Sequence, residues 1–291
     1  MTMKAPEVFA GEFWFLERHA DDVGLLLRVK RHLTHRQSPY QIIDVFDTYA
    51  YGRVLTLDRL IMLTERDEAA YHEMLVHVPM LTHPDPRRVL VVGGGDGGVL
   101  RELLRHRSLE RAVQVEIDRE VVEACREFFP WAAAAFDDPR VELVVGDGLD
   151  YVKGVSAEFD LVIIDSTDPV GPAVGLFKLP FYRDVHKALD SDGIMACQIG
   201  SPFYSGEWVG NLAVILRQIF SDTGVYLVHV PCYPSGVWSL DIASKGAQIG
   251  SGPDEVRYDT MADDLRYYNP AVHRGSFMLP EYLRRKLEVE G

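Results

Sequence analysis

Cysteine is scarce in this chain: Cys125, Cys197 and Cys232 are the three among 291 residues, far apart and with no CxxC pair. Such spacing excludes a disulfide scaffold, and without an accompanying histidine pattern it offers no zinc knuckle, so three reduced thiols of a cytoplasmic protein are expected. Long apolar runs are missing as well. No stretch approaches the ~20 residues of a membrane-spanning helix, and the opening MTMKAPEVFAGEFWF mixes acids into its apolar residues where a signal peptide would carry an h-region. Positive charge is in deficit, with 30 Lys and Arg against 44 Asp and Glu and a formal net charge of −14. Every phosphate contact would be made against the protein's own field, which argues against a nucleic-acid partner and leaves small cations as the ions attracted. Hydrophobic residues make up 47% of the chain, enough to bury a core as one large or two smaller units.

What is present is concentrated in VLVVGGGDGGVLREL, Val89 to Leu103. A β-branched run ends in six residues, five of them Gly, and a helical pattern follows. Gly93, Gly95 and Gly98 fit GxGxxG, in which glycines let the backbone turn sharply and approach a ligand at a helix N-terminus. Asp96 sits inside that turn. Its charge would repel a pyrophosphate and attract an ammonium or sulfonium group, so a nucleoside carrying positive charge is the ligand implied, rather than a dinucleotide.

From Glu12 to about Thr64 the stretches FWFLER, LLLRVKRHLTH, YQIIDVF and GRVLTLD alternate apolar and polar residues between turn signals, as antiparallel strands do. From Asp67 the period becomes helical through Tyr71, Met74, Leu75, Val78 and Leu81, until HPDP closes the helix. Strands and helices then alternate, with VYLVHV and GVWSLDIAS as antiparallel additions at one edge. The expected fold is α/β: a Rossmann-like, methyltransferase-type doubly wound sheet preceded by a small antiparallel β-domain, with residues 1–66 in the first unit and 67–291 in the second.

Ligands of such sheets bind outside the carboxyl ends of the strands, where the strand order reverses. Four predicted strand ends carry acids: Asp96; Glu116 with Asp118; Asp147; and Asp165 with Asp168. Glu116, about twenty residues past the glycine turn, suits ribose hydroxyls, while Asp118 beside it suits a helix cap. Asp147 fits either an adenine amine or a cap bonded to Leu149. In IIDSTDPVGPAVGLF, Asp165 and Asp168 lie on a loop stiffened by Pro169 and Pro172. Two neighbouring carboxylates disfavour each other's charge unless they share a cation; an Asx turn would explain one of them but not both.

At these residues the sequence resembles the spermidine synthase family of aminopropyltransferases, through YQIIDVF, TERDEAAYHEM, HPDPRRVLVVGGGDGGVLREL, VEID, FDDPRVELVVGDG, FDLVIIDSTDPVGPAVGLF, YPSGVWSLDIASK and YYNPAVH. The resemblance implies decarboxylated S-adenosylmethionine as co-substrate and putrescine as acceptor, giving spermidine and methylthioadenosine, with no metal or redox cofactor. It implies that Gln41, Glu116, Asp147, Gly148 and Pro172 hold the methylthioadenosine portion beside Gly93 and Gly95 of the turn. His72, Asp96, Asp165, Ser166, Thr167, Asp168 and Tyr233 would face the polyamine, with Asp165 the proton acceptor assisted by Tyr71. A homodimer or homotetramer follows from the same likeness, with the β-domain as contact surface.

Four residues depart from the family's pattern: Met62 replaces a common Gln, Arg59 a hairpin Gly, Ala69 a Phe and Cys232 a Thr. Trp14 is expected either on the acceptor wall or inside the β-domain. His19, His32, His35, His77, His83 and His186 show no metal spacing and read as surface or satisfied residues. The competing functions are an S-adenosylmethionine methyltransferase, an NAD-dependent oxidoreductase disfavoured by Asp96, an aminopropyltransferase with another acceptor, and a silent polyamine-binding protein.

Overall fold

The structure, a computed structural model, describes residues 12–167 and 171–289. Five antiparallel strands come first: β1 (Phe13–Arg18), β2 (Gly24–Gln37), β3 (Ile42–Thr48), β4 (Gly52–Leu57) and β5 (Leu60–Thr64), paired in sequence order. Alternation directs Leu27 and Val29 of β2 inward and Arg28 and Lys30 outward. The last strand has no counterpart in the sequence reading, because its turn is made without glycine. Asp58 and Arg59 occupy the two central positions of the β4–β5 hairpin with φ of 48° and 69°, where Asn-Gly would ordinarily announce the turn.

Helix α1 (Glu68–Thr82) follows and is buried at every residue, lying on the second sheet beside the next helix. Then come β6 (Arg88–Gly93), α2 (Gly98–Leu103), β7 (Arg111–Glu116), α3 (Arg119–Phe128), α4 (Pro130–Ala133), β8 (Val141–Val145), α5 (Gly148–Lys153) and β9 (Phe159–Asp165). The chain continues through α6 (Leu179–Ala188), β10 (Leu189–Gly200), α7 (Gly206–Arg217), β11 (Asp222–His229) and β12 (Val237–Ser244) to short C-terminal helices. The second sheet has the order β11-β12-β10-β9-β6-β7-β8, with β12 antiparallel to both its neighbours and the other adjacent pairs parallel. Its central strands, VLVV and FDLVII among them, are buried on both faces and so read as continuous apolar runs. This is the expected Rossmann-like α/β fold behind a small antiparallel sheet. The order reverses between β6 and β9, which opens a crevice at their carboxyl ends.

Candidate active site

That crevice is a cavity of about 340 Å³, and both sheets line it. The glycine turn forms its floor. Gly93 (φ +84°) pairs with Asp165 across the sheet, and a Cβ there would come 2.2 Å from the Asp165 carbonyl oxygen. Only glycine permits strands β6 and β9 to end side by side with their loops turning into the cavity. At Gly98 a Cβ would lie 2.2 Å from the His72 ring, so the start of α2 is pressed directly onto that imidazole.

One end of the cavity is acidic. The Tyr71 hydroxyl donates to Asp165 Oδ1 at 2.6 Å. Asp96 Oδ1 accepts the Gly98 N–H at 2.6 Å and lies 3.4 Å from His72 Nε2. Donor atoms of His72, Asp96 and Asp165 all fall within 4.8 Å of one another. Burial and the neighbouring Asp96 charge push the Asp165 carboxyl up to about 6, against the pull of His72 and the Tyr71 hydroxyl. Burial opposes charge on His72 too, but Asp96 and Glu68 outweigh it and raise the imidazole to about 10. Two carboxyl groups thus flank one imidazole whose protonated form Asp96 and Glu68 favour.

His72 is 1% exposed and lies behind Asp96, not on the cavity wall. Its Nδ1 is held by Glu68 at 2.8 Å, and Glu68 is gripped through both oxygens by Arg101 at 3.0 and 2.7 Å. These contacts hold the Glu68 carboxyl down to about 2 in spite of its burial. Arg101 continues to Glu102, and Glu102 to His77 and Arg105, so a buried ladder of charge runs along the α1–α2 seam.

At the end of β7, Glu116 is buried and lines the cavity, with one carboxylate oxygen accepting the Asp118 N–H at 2.9 Å. Burial first, then the charges of Asp118 and Asp165, lift it to about 7 against the backbone N–H groups of Asp118 and Gly95. Asp118 caps α3 through Glu120 N–H and accepts from Ser38 Oγ (2.6 Å) and Gln41 Nε2 (2.8 Å), which ties the β2–β3 loop to the end of β7. Asp147 caps α5 through the Leu149 N–H at 2.8 Å while lining the cavity beside Gly148. Gln41, Gly93, Gly95, Ser166, Thr167 and Tyr233 line it as well. Asp168 lies outside the described residues, as does the side chain of Pro172, whose backbone belongs to a 3₁₀ turn at Gly171–Phe177.

Several wall residues carried no signal in the sequence. Trp238 donates to Gln198 Oε1 at 3.0 Å and Gln198 donates to the Ser166 carbonyl at 2.9 Å, a relay that fixes the loop after β9. Gln198 is visible only as a lone amide in the apolar run GIMACQIG. From the first sheet, Glu17 accepts the Ile61 N–H at 3.0 Å, and His19, read from the sequence as a surface or satisfied residue, faces the cavity 3.5 Å from Glu17. Trp14 instead sits partly buried in β1, its indole N–H on Glu12, and is not among the residues lining the cavity. Tyr233, edge-on to Tyr71, donates to the Met62 carbonyl at 2.6 Å, so the atypical Met62 contributes backbone as well as side chain to the wall.

Known proteins share this sequence pattern and fold. The profile of the Spermine/spermidine synthase domain matches residues 68–251, and that of the Spermidine synthase tetramerisation domain matches residues 13–65. A polyamine aminopropyltransferase of Thermoanaerobacter sp. (strain X514) is 44% identical over 94% of this chain and 98% of its own length. One from Moorella thermoacetica is 42% identical, covering 95% and 96%. Among solved structures, a spermidine synthase in complex with the transition-state analogue AdoDATO superposes with a TM-score of 0.93 at 41% identity, covering 95% of each chain. The spermidine synthase from Thermotoga maritima gives 0.91 at 41% identity, covering 95% and 94%.

Proposed function

The chain belongs to the spermine/spermidine synthase family and is a polyamine aminopropyltransferase, and from that premise we propose that it moves the aminopropyl group of decarboxylated S-adenosylmethionine to putrescine, giving spermidine and methylthioadenosine. The observation that carries this reading is geometric: Asp96 and Asp165, the latter hydrogen-bonded by Tyr71, sit together at the glycine turn of a cavity that Glu116, Asp147 and Gln41 also line. The adenosine ribose belongs at Glu116, with the adenine near Asp147 and the aminopropyl and acceptor amines between Asp96, Asp165 and Tyr233. Asp168, outside the described residues, is assigned to the polyamine by the family likeness alone.

Putrescine arrives protonated, with a pKa of about 10.4 like that of Lys, and a protonated amine has no lone pair for attack. Asp165, oriented by the Tyr71 hydroxyl, takes that proton. A carboxyl that burial and Asp96 raise to about 6 is a stronger base than an ordinary Asp, which narrows the gap to the amine. The freed nitrogen then attacks the propyl carbon next to sulfonium. As the new C–N bond forms, the C–S bond breaks and its electron pair neutralises sulfur, leaving methylthioadenosine; holding the two substrates in line supplies several kcal/mol more.

A cytoplasmic, homo-oligomeric enzyme is part of the same proposal, supported by three unpaired, buried thiols and by the tetramerisation-domain match. Among the described residues no helix is long and apolar enough to cross a membrane. The test is methylthioadenosine release from the decarboxylated donor across putrescine, cadaverine, agmatine and spermidine. Putrescine is expected to give the highest kcat/KM; a different best amine replaces the acceptor, and binding without release makes the protein a silent polyamine binder.

A further inference from the structure

We propose that His32, His35 and Asp44 form a binding site for a divalent transition ion of the zinc class on the first sheet, outside the cavity wall and independent of aminopropyl transfer. His32 Nε2 and His35 Nδ1 both point at Asp44 Oδ1, at 2.6 and 2.8 Å, and the three donor atoms lie within 4.8 Å of one another. Along a regular strand, residues three apart project to opposite faces, which is why the spacing carries no metal signal in the sequence. The β2–β3 ladder removes that obstacle. His35 pairs with Asp44 and Thr34 with Val45, but Phe46 pairs with His32, leaving Leu33 as an extra residue in a bulge. The bulge resets the alternation and brings His32 onto the face of His35, beside Asp44.

The donor set is zinc-like. Two imidazoles and a carboxylate suit Zn²⁺ and its first-row neighbours, whereas Mg²⁺ and Ca²⁺ take oxygen ligands. His32 stacks on Phe46 with ring centroids 4.6 Å apart and 25° between planes, so packing sets the orientation of its ring. Asp44 backs the site with a side chain only 10% exposed, while His32 and His35 are 38% and 60% exposed. Their outer side is thus open for water to complete a tetrahedron. Donors at about 2.0–2.1 Å from an ion stand roughly 3.3 Å apart, so spreading the present contacts by about half an ångström would seat one.

The full chain, stripped with a chelator, is dialysed against micromolar Zn²⁺ beside the double variant His32→Ala/His35→Ala, and bound metal and the thermal midpoint are measured. The wild type is expected to hold one Zn²⁺ per chain more than the double variant and to melt higher with Zn²⁺ than without. The double variant should lose that shift, and Mg²⁺ should reproduce none of it. Asp44→Asn, which keeps the size of the side chain, should weaken Zn²⁺ binding at least tenfold. Equal Zn²⁺ content in wild type and double variant, with both shown folded by circular dichroism, overturns the site; so does a Zn²⁺-induced shift that survives in the double variant.

Discussion

Asp165, 2.6 Å from the Tyr71 hydroxyl and with a carboxylate oxygen within 4.8 Å of one of Asp96, is in the proposed mechanism a base whose strength its neighbours set. Asp165→Asn keeps the hydrogen bond to Tyr71 through the amide oxygen but cannot accept a proton. A fall in kcat on the order of 10²–10⁴ with modest change in KM is expected in steady-state assays, partly rescued at high pH where more amine arrives deprotonated. In the wild type the acid limb of kcat/KM should fall near pH 6, the value to which burial and Asp96 raise Asp165. Asp96→Asn removes one of those causes and should move the limb to lower pH. Arg59 offers a test of stability instead. It holds φ at 69° in a turn where glycine would be unstrained, so Arg59→Gly should stabilise the chain by about 0.5–1 kcal/mol in denaturant titration, with kcat unchanged.

Among the elements, α1 depends most on its polar residues, because a helix buried on every side must satisfy each of them internally. Glu73 does so by accepting the backbone N–H groups of Arg266, Tyr267 and Tyr268 at 2.7–2.8 Å, and Glu68 through His72 and Arg101. Glu68→Gln leaves Arg101 and His72 short of a counter-charge and should cost about 3 kcal/mol in thermal denaturation. In the double variant Glu68→Gln/Arg101→Met the loss should be smaller than the sum of the two single losses, since each single change strands the other's charge. None of this ladder is written in the sequence as chemistry. Glu68, Arg101 and Glu102 look like solvated charges on helices, and their burial follows from the packing of α1 against α2, a long-range fact. What was legible was local: the β-to-α alternation, the glycine turn, and acids at strand ends, each a matter of period or of one tight loop. The fifth strand escaped because Asp58-Arg59 lacks a glycine signal. Glu17, His19 and Gln198 escaped because only the meeting of two sheets gives them a common cavity.

For the molecule as a whole, the buried ionisable groups set opposing pH windows. Glu68, held down to about 2 from an ordinary 4.5, contributes stability above pH 4.5 that is lost as pH falls through 2. His72, raised to about 10, contributes below 6.5 and loses its contribution as pH climbs to 10. Asp165 and Glu116 titrate higher when folded than when unfolded, so the stability they withhold grows between about pH 4 and 7. By these groups the stability of the unliganded protein should peak near pH 4–4.5 in calorimetry and decline from there toward pH 7. A bound cationic substrate favours the Asp165 carboxylate and should move that maximum upward, whereas methylthioadenosine, lacking the cation, should move it less. In the cavity, the groups proposed to move the proton, Tyr71 and Asp165, belong to α1 and the second sheet, whereas Glu17, Leu60, Ile61 and Met62 come from the first. Heredity can thus edit the two separately: under the proposed function, substitutions accumulating in the β4–β5 hairpin would reshape the cavity while Tyr71 and Asp165 stay in place, so a lineage built on this scaffold could change its diet of amines while its chemistry is passed on intact.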